Sequence, residues 1–94
     1  MFRLDPAGEG TVRLVGRLDG AEAERAMASF DALEGSIVAD CSELDYISSA
    51  GMGVLLGTQK RLADNGHSLK LVNLNRHIRE IFRIAGFDNV FSIE

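Results

Sequence analysis

The spacing of apolar and polar positions changes several times along the chain, and each change marks an element. Phe2-Arg3-Leu4 and Thr11-Val12-Arg13-Leu14-Val15-Gly16 alternate or nearly so, and Asp5-Pro6-Ala7-Gly8-Glu9-Gly10 between them is rich in turn formers. This predicts an antiparallel hairpin. From Asp19 the period shifts, because Ala23, Ala26, Met27, Phe30 and Leu33 recur at helical spacing and Asp19 stands three residues before Glu22, as in a capping box. A first helix is expected over residues 20–33. Its small residues at 21, 23, 26 and 28 allow close approach to a neighbour, while Glu22, Glu24, Arg25 and Asp31 are expected to face water.

Ile37-Val38-Ala39 followed by Asp40-Cys41 reads as a short buried strand, central in its sheet, with residues 42–45 as a connection. Tyr46-Ile47 leads into Ser48-Ser49, and an apolar helical run begins at Gly51 or Met52. Met52, Leu55, Leu56, Gln59 and Leu62 share one face of it, Lys60, Arg61 and Asp64 the other, and Gly66 is placed to end it in a left-handed conformation. Residues 68–74 alternate as a strand. Asn75 is placed to cap a third helix carrying Ile78, Ile81, Phe82 and Ala85, Gly86 stops it, and residues 90–93 form a last short strand. The order β-β-α-β-α-β-α-β puts a crossover helix between successive strands after the hairpin, which makes those strands parallel. The expected fold class is α/β: one domain over residues 1–94, a mixed sheet of four to five strands, and three or four helices mainly on one face. Its expected core includes Ile37, Val38, Leu55, Leu62, Leu71, Ile78, Ile81 and Phe82.

Ninety-four residues suffice for one small domain. No apolar run approaches the roughly 20 residues of a membrane span, and Arg3, Asp5 and Glu9 do not make a signal peptide, so a cytoplasmic chain without direct membrane contact is expected. The single cysteine, Cys41, cannot form an internal disulfide and falls in a strand pattern that buries it. Net charge is −4, and the basic residues are scattered apart from Arg76, Arg79 and Arg83 on one helix, a composition that favours protein partners over nucleic acid. His67 and His77 have no Cys, Asp or Glu at ligand spacing, so no metal is expected. Gly51 and Gly53 would need a glycine where Leu56 stands to complete a dinucleotide fingerprint, and no phosphate loop exists, so no cofactor is expected. A Ser-His-Asp trio could be assembled from Ser49, a histidine and Asp40 or Asp45. The G-x-S-x-G elbow that would give it meaning is absent, and no enzymatic activity is expected.

The stretch from Tyr46 to Gly57 is the one around which the rest is arranged, because a helix N-terminus carries unpaired N–H groups and about half a positive charge. A serine there serves as an N-cap, and glycines permit a tight turn. The same end also welcomes a phosphate.

Gly16-Arg17-Leu18-Asp19, Ile37-Val38-Ala39-Asp40, Ile84-Ala85-Gly86-Phe87 and above all Tyr46-Ile47-Ser48-Ser49-Ala50-Gly51-Met52-Gly53 carry a resemblance over the whole chain. It resembles the STAS domain family of bacterial anti-sigma factor antagonists, whose motif has the form aromatic-apolar-Asp-Ser-Ser/Thr-Gly-Leu-Gly. The resemblance implies a partner-switching protein that binds an anti-sigma factor with serine kinase activity when unphosphorylated. Phosphorylation of the motif serine then releases it, and a cognate phosphatase resets it. Motif alignment places that serine at Ser49, with Ser48 as the alternative, since Ser48 stands where the family usually has Asp and Ala50 where it has Ser or Thr. The partner-binding face is expected to comprise Asp19, Gly20, Ser48, Ser49, Ala50, Gly51, Met52 and Gly53, on a monomer or weak dimer. Two other classes remain beside it: an accessory subunit of a membrane transport complex of the lipid-transport ABC type, and a nucleotide- or small-ligand-binding module.

Overall fold

The computed structural model describes all residues, 1–94. The elements are β1 (Phe2–Pro6), β2 (Thr11–Leu18), α1 (Ala23–Asp31), β3 (Ile37–Ile47), α2 (Ser49–Asp64), β4 (Leu69–Val72), α3 (Arg76–Ala85) and β5 (Ser92–Ile93), in the predicted order. They form one five-stranded sheet in the order β1-β2-β3-β4-β5, antiparallel between β1 and β2 and parallel thereafter. Each crossover steps one strand in the same direction, and right-handed crossovers that do so lay all three helices on one face. Burial agrees, since Val12, Leu14, Leu18, Ile37, Ala39, Cys41, Leu69 and Leu71 are buried beneath the helices while Arg13, Val38 and Lys70 on the other face are half-buried.

Several expectations change in detail. The segment 42–45 is not a connection: β3 continues through it as an 11-residue strand. Two irregularities in its pairing with β2, between Arg13 and Val15 and between Gly16 and Arg17, break the two-residue period that would have revealed the strand. Val38 faces away from the main core. The capping box at Asp19 does not form; Asp19 Oδ1 accepts from the Ala21 N–H at 3.1 Å, and Glu22 pairs with Arg25 at 2.6 Å. The helix therefore starts only at Ala23 and ends at Asp31, shorter than the pattern suggested. Arg61 and Asp31, both expected in water, meet across the helices at 3.2 Å, and Arg61 Nη2 donates to the Phe30 carbonyl at 2.9 Å. Beside the buried Ala26 of α1, Gly57 of α2 also favours close approach, since a Cβ there would lie 2.7 Å from the Met27 methyl carbon.

β4 pairs with β3 only as far as Asp40, so the second half of β3 has an edge that something else must satisfy. Two side chains do this. Asp40 accepts from the Ser42 N–H at 2.9 Å, and Asn75 Nδ2 donates to the Leu44 carbonyl at 2.9 Å while its Oδ1 accepts from the Ile78 N–H, also at 2.9 Å. Asn75 thus caps α3 and fixes that helix beside the extension of β3. Asp40 is itself bracketed by Arg13 at 3.3 Å and by Asn73 at 3.4 Å, the latter in a left-handed conformation at φ 58°. The Ser42 N–H foremost, with partial opposition from burial, holds the Asp40 carboxyl below its ordinary value of 3.8.

A carboxyl with a depressed native pKa contributes stability above its unfolded pKa and loses it as pH falls through the native one. Asp40→Asn should cost about 1–3 kcal/mol at neutral pH, since it leaves charge-assisted bonds unmade. That gap should narrow below about pH 4 as the wild-type carboxylate protonates. Urea unfolding at pH 7 and pH 3 checks this. A variant as stable as wild type at pH 7 would contradict it.

Candidate functional site

The geometry begins at Ser48. Its backbone is extended, φ −94° and ψ 174°, and its Oγ accepts from the Gly51 N–H at 3.2 Å, which makes Ser48 the N-cap of α2. The Ser48 N–H donates to the Leu18 carbonyl at 3.0 Å, and the Ser48 carbonyl accepts from the Met52 N–H at 2.8 Å. The backbone N–H and carbonyl of Ser48 are thus both bonded, and its Oγ accepts from the helix end. α2 starts at Ser49, two or three residues earlier than the apolar pattern suggested, because polar Ser49 and exposed Ala50 fill its first turn. Ser49 is exposed, and no hydrogen bond within the protein involves its hydroxyl. Side chains lean toward the N-terminus of their helix, so this hydroxyl projects off the end of α2.

The two glycines have different reasons. A Cβ on Gly51 would overlap the Leu18 carbonyl oxygen and come within 2.9 Å of both Ile47 Cγ1 and Leu18 Cγ. Gly51 is buried, and its lack of a side chain lets the first turn of α2 seat on the end of β2. It does not leave the backbone open. Gly53 does, because it is exposed and a Cβ there would meet nothing within 4 Å. Met52 is 2% exposed and belongs to the core. Asp19 and Gly20 follow Leu18 directly, so the bond from Ser48 to Leu18 brings that loop to the edge that carries Ser49.

A wall that the sequence reading left out comes from α3. Tyr46, Ile47, Ser48, Ser49 and Met52 on one side, with Ile81, Ile84 and Ala85 on the other, line a cleft of about 290 Å³. Ile81, expected in the core, is half-buried and packs against its edge, and Ala85, on the same helical spacing, is exposed. The available signal was Ile84, an aliphatic residue outside the α3 core stripe.

Two arginines outside the cleft lining are engaged in pairs at the surface. The Arg17 guanidinium lies 4.5 Å from the centre of the Tyr46 ring and 3.8 Å from Asp19 Oδ2, and Arg83 pairs with Glu80. α2 has no acidic residue in its first turn, so nothing there competes with an added anion for the helix end. Cys41 is fully buried, and burial foremost, with the Asp40 charge, pushes its thiol up to about 12, which keeps it neutral and unreactive at neutral pH. His67 and His77 are exposed, and no group of three or more His, Cys, Asp or Glu side chains could hold a metal ion. No helix is long and apolar enough to cross a membrane.

The glycine contrast gives a prediction. Gly51→Ala should destabilise by roughly 1–3 kcal/mol, because its methyl meets backbone that cannot yield cheaply. Gly53→Ala should stabilise by up to about 1 kcal/mol as an ordinary helical replacement. Thermal melts of the two variants decide, and equal melting temperatures would contradict the seating of α2 described above.

Among curated proteins, BtrV of Bordetella bronchiseptica is 44% identical over 72 residues, 77% of this chain and 61% of that protein; its own assignment as an anti-sigma factor antagonist is provisional. The anti-sigma-B factor antagonist of Bacillus subtilis is 37% identical over 51 residues, 54% of this chain and 47% of that protein. The matches span less than two thirds of either relative. Among solved structures, SpoIIAA in its unphosphorylated form aligns at a TM-score of 0.70 and 21% identity, covering 100% of this chain and 87% of that one. The phosphorylated form of SpoIIAA, a Bacillus cell fate determinant, aligns at 0.69 and 22%, covering 100% and 91%. These structures share the fold. A family model described as "Mlab, STAS domain" matches residues 2–93, and the chain belongs to the STAS domain family.

Proposed function

We propose that this chain is an anti-sigma factor antagonist that works by partner switching. Unphosphorylated, it binds an anti-sigma factor with serine kinase activity through the edge formed by Asp19, Gly20 and residues 48–53; phosphate on Ser49 ends that contact, and a phosphatase restores it. The chain then acts by occupying a surface and not by catalysis. One observation carries the choice of residue: the Ser48 Oγ caps α2 from a half-buried position, whereas the neighbouring Ser49 is exposed and its hydroxyl makes no hydrogen bond within the protein. The two curated relatives support the class of activity. SpoIIAA supports the chemistry, since that protein is known in both phosphorylated and unphosphorylated forms with a fold this chain matches equally well.

The physical argument concerns where the phosphate's charge is accepted. A phosphoserine adds about −1.5 to −2 charges and three acceptor oxygens at pH 7. At the start of α2 the helix end favours that charge by about 0.3–1 kcal/mol, so the fold should persist. A partner packed over the same position would have to desolvate the phosphate, at a cost of several kcal/mol if its charge is not matched.

Incubation with the serine kinase encoded nearest to this chain should place phosphate on Ser49, as mapped by mass spectrometry. Ser49→Asp should keep the wild-type melting temperature yet bind the anti-sigma factor at least tenfold more weakly, about 1.4 kcal/mol. Ser49→Ala should bind and resist phosphorylation. Phosphate on Ser48 alone would shift the assignment by one residue, and phosphate on neither would remove the switch.

A further inference from the structure

We propose that the cleft between the start of α2 and the end of α3 receives an aliphatic side chain of the anti-sigma factor, and that this apolar contact carries affinity that a phosphate on Ser49 removes. The proposal rests on the reading that the anti-sigma factor docks over Ser49. None of the eight lining residues is charged, and six of them are hydrophobic. A charged side chain entering the cleft would lose water to an uncharged lining that offers it no counterion. An aliphatic group meets no such cost. At about 290 Å³ the space has room for an aliphatic side chain.

Ile84 marks this cleft as the apolar feature to explain. It is 74% exposed, and the other exposed large hydrophobic residues, Met1 and Val90, do not line the cleft. Ser48 and Ser49 form the polar end of the same cleft, so its occupant lies against the hydroxyl that would be modified. A phosphate on Ser49 then brings its charge and hydration shell to the mouth of an apolar seat. Steric and desolvation costs act together there, and release requires no change of fold.

The test uses the purified anti-sigma factor encoded beside this chain and calorimetric titration with the full chain and four variants. Ile84→Asp and Ser49→Asp should each weaken binding at least tenfold, and Ile84→Ala by about threefold to tenfold, as loss of a partly buried aliphatic group does. Val90→Asp, an equally polar change outside the cleft, should bind within about twofold of wild type, a difference too small for loss of a buried contact. All four should keep cooperative melting, since Ser49, Ile84 and Val90 are all exposed. Raising salt from 50 to 500 mM should change wild-type affinity by less than about threefold, whereas a contact built on exposed charges would weaken steeply. Wild-type-like binding by both Ile84 variants, with loss in Ser49→Asp, overturns the cleft and leaves the switch standing. A steep salt dependence also overturns it. Sedimentation that shows self-association abolished by Ile84→Asp, with anti-sigma binding unchanged, assigns the cleft to a second copy and overturns the proposal. Wild-type-like binding by Ser49→Asp, or no binding by the wild type, overturns the docking reading itself.

Discussion

The seating of the first turn of α2 on the end of β2 is the contact on which the rest of the site depends. Leu18 and Ile47 are register partners in parallel strands, so β2 and β3 reach the edge of the sheet together. One residue later, the Ser48 N–H takes the Leu18 carbonyl, and Gly51 lets the helix descend until backbone meets backbone. These constraints leave no freedom in the direction of α2. They also divide the work between two adjacent serines: the one that caps is half-buried with its Oγ on the helix end, and the next starts the helix facing solvent.

The second wall of the site is built from a distance. β4 leaves β3 after Asp40, and the exposed edge that results is closed partly by the Asp40 carboxylate and partly by Asn75. Because Asn75 also caps α3, the residue that closes the edge sets where that helix starts. Ten helical residues then carry Ile81, Ile84 and Ala85 to the end of β3, beside Ser49. Behind α3, Phe82, Phe87 and Phe91 pack edge to face with centroids 5.5 and 6.4 Å apart, tying the helix to the last strand. The edge is thus both local, in residues 48–53, and composite, in α3.

Local signals were legible in the sequence. Asn75 and Gly86 bound α3 as read, with Gly86 left-handed at φ 80°, because a cap and a stop act within a few residues of their helix. The hairpin and strand order followed from period and topology. The length of β3 did not, since Ser42, Glu43 and Asp45 have loop chemistry and the pairing irregularities put inward-facing Leu44 and Ile47 three residues apart. Asp19 and Glu22 had the spacing of a capping box, but Arg25 and the N-terminal amine, 3.7 Å away, hold Glu22 instead. In the site, the serine pair and its glycines were readable from one motif. The contribution of α3 was not, because it depends on a contact between Asn75 and Leu44, 31 residues apart.

Hydrogen–deuterium exchange of the chain with and without the anti-sigma factor tests the central claim most directly, that one edge of the sheet is the binding face. The amides of Ser49 and Ala50 have no intrahelical acceptor and should exchange freely in the isolated chain. On complex formation, protection should appear at residues 17–20, 48–53 and 81–87, with β1 unchanged. Protection confined to the helix-free face of the sheet, around Arg3, Asp5 and Lys70, with none at 48–53, would contradict the account.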